Sequence, residues 1–189
     1  MPPKLTFVLG GARSGKSALA VQWAQARAQR VAFIATAQAT DEEMAQRIAR
    51  HRAERPPHWL TLEIPQGVGD ALRRQPPQVD LCVLDCLTLL VSQVMLHATD
   101  AEAPAPQKAR QAVEAEIAAL LRAINTLPCA WIVISNEVGA GLVPPYPLGR
   151  LFRDLLGWAN RQMAAQADEV YYLIAGIPVP LHRFRQGTP

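Results

Sequence analysis

The chain has 189 residues, of which 50% are hydrophobic and 19% are charged, and its formal net charge is +3. This length suffices to bury a sizeable core without disulfides or a structural metal, so we expect one domain over residues 1–189. The mild positive charge, with arginines spread over several segments, argues against a nucleic-acid binder, which would concentrate its basic residues in one stripe.

The first elements predicted along the chain are a strand, a glycine loop, a helix and a second strand. Residues 5–9 form a continuous apolar run before Gly10-Gly11, as in a fully buried strand. Residues 17–30 carry apolar side chains at helical spacing, and residues 31–35 form a second short apolar run. This order predicts parallel strands joined by a right-handed crossover.

A second helix is predicted over residues 40–55. Thr40 and Glu43 have the spacing of a capping box at its start, and Pro56-Pro57 ends it. Residues 59–64 then alternate apolar and polar side chains, which is typical of a half-buried strand.

The rest of the chain continues the alternation of strands and helices. The predicted elements are strands at residues 79–84 and 130–135, helices at 87–96, 108–127 and 151–167, a mobile loop at 98–107, and a closing hairpin of 169–174 and 177–182. Pro178 and Pro180 place both missing N–H groups on one side, so the last strand is expected at a sheet edge. We therefore predict an α/β fold, with a mostly parallel sheet flanked by helices.

The segment after the first strand carries the strongest chemical signal. It reads Gly10-Gly11-Ala12-Arg13-Ser14-Gly15-Lys16-Ser17 and matches G-x-x-x-x-G-K-[ST] in full. Such a P-loop turns backbone N–H groups onto phosphate oxygens, while its lysine reaches the β- and γ-phosphates and its serine holds Mg²⁺. Asp85 ends the predicted strand of residues 79–84 and would be a second ligand for Mg²⁺. The motif does not distinguish a kinase from a motor or a GTPase switch.

The predicted helix over residues 40–55 stacks basic side chains on one face. Arg47, His51 and Arg55 recur at spacing four, whereas Met44 and Ile48 are expected to face elsewhere, toward the core. Like charges at this spacing repel, so a bound anion would explain the pattern, and an uncharged imidazole among guanidinium groups is a suitable nucleophile toward phosphorus. On these residues alone, however, a solvated basic face with a bystander histidine is the favoured interpretation.

Collinear motifs along nearly the whole chain resemble one enzyme family, the bifunctional adenosylcobinamide kinase / adenosylcobinamide-phosphate guanylyltransferases of cobalamin biosynthesis. Beyond the P-loop, the motifs are Ile34-Ala35-Thr36-Ala37, Asp41-Glu42-Glu43-Met44 through Arg47-Ile48 to His51, Arg55-Pro56 with His58-Trp59, Asp85-Cys86-Leu87-Thr88, Asn136-Glu137-Val138-Gly139, Phe152-Arg153-Asp154, Asn160 and Ala167-Asp168-Glu169-Val170. The P-loop alone is common, whereas the histidine helix followed by Asn-Glu-Val-Gly is far more particular.

This resemblance implies two reactions. Enzymes of the family phosphorylate the aminopropanol hydroxyl of adenosylcobinamide with ATP or GTP, and then exchange the pyrophosphate of GTP for that phosphate to give adenosylcobinamide-GDP. The second reaction proceeds through a covalent guanylyl-histidine, and the matching residue here is His51. The resemblance also implies a RecA-like P-loop domain, Mg²⁺, the corrinoid adenosylcobinamide and its phosphate as partners, and a homotrimer.

Further nucleotide contacts follow from the same resemblance. Besides the P-loop, they are Ala35, Thr36, Ala37, Arg52, Ala53, Glu54, Arg55, Glu63 and Asp85. Asp85 departs mildly from the pattern, because some relatives carry Glu there, and the shorter side chain would hold Mg²⁺ through water or shift it slightly. The loop at residues 136–149 leaves the carboxyl end of a strand, and we expect it to contact the corrinoid or a neighbouring subunit.

Two other functions stay open at this point. A simple P-loop kinase acting on a small metabolite needs Lys16 and Asp85 but not His51. A RecA-type ATPase module would show polymer-stimulated hydrolysis, but nothing here resembles a nucleic-acid loop with interleaved aromatic residues.

The cellular compartment is inferred from the cysteines and from the apolar runs. The three cysteines lie inside apolar runs, and their odd number without a signal sequence favours the cytoplasm. No segment approaches the length of a membrane span, so we expect no membrane insertion.

Overall fold

The computed structural model describes residues 4–39, 41–99 and 105–184. In chain order the elements are β1 Leu5–Gly10, α1 Lys16–Arg27, β2 Val31–Ala35, α2 Glu42–Ala53, β3 Leu60–Glu63, α3 Val68–Arg74, β4 Leu81–Asp85, α4 Leu87–Ala98, α5 Pro106–Thr126, β5 Ala130–Ile134, α6 Pro147–Gln166, β6 Glu169–Ile174, β7 Ile177–Pro180 and a 3-10 turn at Leu181–Phe184. The predicted cap at Thr40 and residues 100–104 of the predicted mobile loop lie outside the described residues, as do the side chains of Glu43 and Arg47.

The strands form one seven-stranded sheet in the order β3-β2-β4-β5-β1-β6-β7. Every neighbouring pair from β3 to β6 is parallel, and only β7 runs antiparallel, paired with β6 at the edge of the sheet. The predicted mostly parallel α/β fold with a C-terminal hairpin is therefore confirmed, and so is the edge position of the strand that carries Pro178 and Pro180. Because parallel strands end at one edge, the segments after β1, β2, β4 and β5 meet there.

Both faces of the sheet are covered, which explains the continuous apolar runs in the sequence. Strands β1 and β2 are buried over their whole length. Helix α1 packs on one face through Ala20 and Ala24. Helices α3 to α6 pack on the other face, in a core that includes Leu84 and Trp131. Among the helices described, none combines the length and the apolar character needed to cross a membrane.

Helix α3 was absent from the sequence-based prediction, and helix α2 begins differently. The Glu116 carboxylate on α5 accepts hydrogen bonds from the N–H groups of Gly67 and Val68, both at 2.9 Å, and so caps α3 from a distant part of the chain. In α2 the capping side chain is Asp41, whose Oδ1 accepts from the N–H of Met44 at 2.7 Å. An aspartate in this position is a strong helix cap.

Candidate active site

The P-loop joins β1 to α1 in a tight turn that requires glycine at two positions. A Cβ atom on Gly10 would lie 2.9 Å from the Leu173 carbonyl oxygen, and Gly15, which caps α1, has a φ of 92°. The Lys16 Nζ donates a hydrogen bond to the Gly11 carbonyl at 2.6 Å, so the ammonium group lies over the loop. The first turn of α1 contains no acidic residue that would offset the partial positive charge at the N-terminus of the helix. This end of α1 therefore suits a bound anion.

Two adjoining cavities open at the carboxyl edge of the sheet. The smaller, of about 140 Å³, is lined by Ser17, Ala35, Ala37, Met44, Ile48, His51, Arg55, Asp85, Cys86, Leu89 and Asn136. The larger, of about 450 Å³, is lined by Ala35, Ala37, Gln38, Ala39, Ile48, Arg52, Arg55, Glu63 and Pro65. The structure thus brings the predicted nucleophile into one cavity with the P-loop serine and with Asp85.

Arg55 lies between the two cavities and lines both. Its guanidinium carbon lies 3.5 Å from the centroid of the Phe33 ring, in a cation–π contact. Its buried Nε hydrogen-bonds to none of the described residues. Burial lowers the pKa of the Arg55 guanidinium, and the nearby Asp85 carboxylate opposes that shift. An arginine so placed remains charged and offers donors to an anion in either cavity.

Helix α2 presents one stripe to the smaller cavity, formed by Met44, Ile48 and His51, and Arg55 follows just beyond the end of the helix. The expectation that Met44 and Ile48 face away, toward the core, was wrong, because both line the same cavity as His51. Helix geometry explains the error, since Met44, Ile48 and His51 are separated by four and three residues and so lie on one face. The stripe therefore combines two apolar side chains with His51.

Arg52 and Glu63 form an ion pair in the lining of the larger cavity. Arg52 Nη1 lies 3.6 Å from Glu63 Oε1, and the two side chains are 66% and 62% exposed. An ion pair this exposed contributes little to stability. Both groups can therefore turn to a ligand in the cavity without a large cost.

Asp85 is held at the end of β4 by the neighbouring strand. The Thr36 hydroxyl accepts a hydrogen bond from Cys86 N and donates one to Cys86 O, both at 2.8 Å, and Thr36 N donates to Asp85 O at 3.1 Å. The Asp85 carboxylate and the Ser17 hydroxyl line one cavity. These hard oxygen donors fit Mg²⁺, which is usually bound by one or two protein groups together with phosphates and water.

Not every predicted contact lies at these cavities. Thr36 is fully buried and joins β2 to β4, Ala53 and Glu54 line neither cavity, and Ala12 and Arg13 are exposed at the tip of the P-loop. Sequence reasoning missed Asn136 as a cavity residue, although its place directly after a buried strand was a signal.

Comparison with known proteins gives concordant matches over most of the chain. A family model described as cobinamide kinase / cobinamide phosphate guanyltransferase matches residues 6–181. The bifunctional adenosylcobalamin biosynthesis protein CobP of Pseudomonas aeruginosa is 41% identical over 175 residues, which cover 93% of this chain and 95% of CobP. The protein CobU of Escherichia coli, with the same description, is 38% identical over 94% of this chain and 99% of its own length.

Among solved structures, the RadB recombinase overlaps this chain with a TM-score of 0.48 at 17% identity, over 90% of this chain and 74% of the recombinase. CobU of Salmonella typhimurium is 37% identical over 94% of this chain and 99% of its own length. The family model spans most of the chain, and the three relatives are 37–41% identical to it along nearly their whole lengths. The chain therefore belongs to the cobinamide kinase / cobinamide phosphate guanyltransferase family.

Proposed function

We propose that this chain phosphorylates adenosylcobinamide with ATP or GTP and then transfers GMP from GTP to adenosylcobinamide-phosphate. The products of the second step are adenosylcobinamide-GDP and pyrophosphate. The observation that carries this proposal is the smaller cavity, in which the P-loop serine, Asp85, Arg55 and His51 meet. Family membership supplies the substrate class.

In the proposed kinase step the P-loop amides and Lys16 hold the β- and γ-phosphates. The acceptor hydroxyl oxygen attacks the γ-phosphorus, the bond from that phosphorus to the bridging oxygen breaks, and the nucleoside diphosphate leaves with the electron pair. Lys16 and the positive end of α1 stabilise the charge on the phosphate oxygens. Ser17 and Asp85 would hold Mg²⁺, whose chemistry would be to neutralise further charge on the phosphates.

In the proposed guanylyl transfer a ring nitrogen of His51 attacks the α-phosphorus of GTP. A P–N bond forms, the bond to the bridging oxygen breaks, and pyrophosphate departs with the electron pair. A phosphate oxygen of adenosylcobinamide-phosphate then attacks the same phosphorus and releases His51. Arg55, which lines the cavity with His51, is placed to stabilise the negative charge in both transfers.

We assign the guanine base to the larger cavity. The Glu63 carboxylate accepts hydrogen bonds from the N1–H and 2-amino groups of guanine, and Arg52, its ion-pair partner, turns to a phosphate or to the base. Adenine has no donors at these two positions. This arrangement would select GTP for the guanylyl transfer, while the kinase step, which needs only the phosphates, accepts either nucleotide.

The test is incubation with Mg²⁺ and GTP labelled at its α-phosphate, followed by a denaturing gel. We expect an acid-labile, alkali-stable label on the wild type and on His97→Ala, because His97 is exposed and lines neither cavity. His51→Ala should carry no label. If His51→Ala is labelled as strongly as the wild type, a covalent bond to His51 is refuted. If the wild type binds GTP but is never labelled, a simple P-loop kinase is the better interpretation.

We further propose a single catalytic domain that acts in the cytoplasm as a homotrimer. The exposed loop before α6 supports an oligomer or a docked corrinoid, since Leu142, Val143 and Tyr146 are 97%, 64% and 62% exposed. Arg150 fixes this loop by donating to the Pro144 and Pro145 carbonyls. Sedimentation equilibrium tests the trimer, and a monomer of 20.6 kDa at micromolar concentration would contradict it.

A further inference from the structure

A short chain of buried polar side chains lies beneath the carboxyl end of β5. The Ser135 hydroxyl donates to Asn160 Oδ1 at 2.7 Å, and it lies 3.3 Å from the Thr88 hydroxyl. These three residues are only 0%, 5% and 7% exposed, respectively. Burying polar groups is costly unless each is hydrogen-bonded, so a network in this apolar region calls for an explanation.

Both ends of the network hold the backbone of Asn136. The N–H of Asn136 donates to Thr88 Oγ1 at 2.7 Å, and Asn160 Nδ2 donates to the carbonyl of Asn136 at 3.0 Å. Side chains from α4 and α6 therefore fix both backbone polar groups of this residue, and with them the direction of its Cα–Cβ bond. A residue fixed in this way has little freedom at the rim of the cavity.

Asn136 lines the smaller cavity with Ser17, His51 and Asp85. Strand β5 lies between β1 and β4, so Asn136 follows the strand that separates the P-loop from Asp85. The hydrogen bonds that Asn136 forms with the described residues Thr88 and Asn160 use its backbone groups, and none of the described residues bonds to its side-chain amide. A neutral N–H donor is thus available on the side where the terminal phosphates of a P-loop nucleotide lie.

We propose that Asn136 is a catalytic residue of the kinase step, and that Thr88 and Asn160 are positioning residues that act through it. This inference rests on the proposed kinase function. The amide of Asn136 donates a hydrogen bond to an oxygen of the phosphoryl group while the acceptor oxygen bonds to phosphorus and the diphosphate leaves. The amide neither gains nor loses a proton, and the proton of the acceptor hydroxyl is released to water.

The first experiment measures kcat and KM of the kinase step, with ATP and adenosylcobinamide, for Asn136→Ala and Asn136→Asp. We expect kcat to fall about 100-fold in Asn136→Ala, as when one preorganised donor is removed from a transition state, and KM to change little. Asn136→Asp should be slower still, because a carboxylate repels the phosphates. The matched control is Asn125→Ala, an exposed asparagine on α5 near the opposite edge of the sheet.

The outcomes separate this inference from the proposed function. An active wild type with an Asn136→Ala variant within threefold of its kcat would overturn the inference alone. A folded wild type that binds nucleotide but lacks kinase activity would overturn the proposed function and this inference with it.

The second experiment tests the positioning role with a double-mutant cycle. Thr88→Val should lower kcat about tenfold, Thr88→Ser should restore it, and Thr88→Val should have almost no effect in the Asn136→Ala background. Effects that simply multiply would show that Thr88 has a structural role only. Thr126→Val, which removes an exposed hydroxyl on α5, is the control. If Thr88→Val does not fold, Asn160→Ser replaces it in the same cycle with the same expected result.

Discussion

The close contact between α3 and α5 depends on the absence of a side chain at position 69. A Cβ atom on Gly69 would lie 2.2 Å from the Ala119 carbonyl carbon and 2.5 Å from the Leu120 nitrogen. These are backbone atoms of a helix, so the clash can be relieved only by separating the two helices. Gly69→Ala should therefore destabilise the fold. It should also weaken the packing of α3 and of the segment that joins α3 to Pro65, a residue in the lining of the larger cavity.

The expected magnitude combines two opposing terms. Overpacking a tight contact costs about 3 kcal/mol at the upper end of its usual range, and the better helix propensity of alanine returns about 1 kcal/mol. The net loss of about 2 kcal/mol corresponds to a fall in Tm of roughly 4–8 °C for a chain of this size. Thermal unfolding followed by circular dichroism measures it.

The matched control for this substitution is Gly157→Ala, also within a helix. Nothing lies within 4 Å of a Cβ atom at that position, so only the propensity gain of about 1 kcal/mol remains and Tm should rise. A Gly69→Ala variant whose Tm equals or exceeds that of the wild type would refute the steric argument.

The remaining predictions concern the site. Lys16→Ala should abolish both reactions, while His51→Ala should lose guanylyl transfer and retain kinase activity; equal loss of both in a folded His51→Ala protein would contradict separate roles. Glu63→Gln should reduce the rate at which GTP labels the protein about tenfold, as expected for the loss of one charged hydrogen-bond partner, and should leave kinase activity with ATP unchanged. A labelling rate equal to that of the wild type would exclude Glu63 from base recognition. Burial, reinforced by the charge of Asp85, raises the pKa of the Cys86 thiol to about 11. Alkylation of Cys86, measured by mass spectrometry, should therefore be about 100-fold slower at pH 8 than alkylation of a free thiol. Its rate should rise about tenfold per pH unit up to the pKa, and a rate that no longer rises above pH 8 would contradict the raised pKa.

The sequence predicted the strands well because their signal is local. Strand β2 was predicted with the bounds that the structure shows, since a strand buried on both faces is a continuous apolar run. Helix α3 was missed because its cap comes from Glu116 and its packing from Gly69 against Ala119, and neither contact is visible in a seven-residue segment. Such tertiary contacts override local propensity.

The site divides in the same way. The P-loop could be recognised because its glycines and lysine are adjacent in sequence and serve a common backbone geometry. The stacking of Arg55 on Phe33 and the anchoring of Asn136 by Asn160 depend on strand order, which brings distant residues together. The role proposed for His51 therefore comes from the family resemblance, whereas only the structure shows that Met44 and Ile48 share its cavity.

The two proposed reactions draw on parts of the fold that are held differently. The P-loop, Asp85 and Asn136 lie at the ends of buried strands, so the groups for phosphoryl transfer are fixed to the sheet. His51 lies instead on α2, a helix with no fully buried side chain among those described, and Arg55, just beyond its end, stacks on Phe33 of the sheet. Under the proposed mechanism, a histidine nucleophile on one peripheral helix would let a single phosphate site serve two transfers. We therefore expect substitutions on α2 to affect guanylyl transfer first, because the groups proposed for the kinase step lie at the sheet edge and not on that helix.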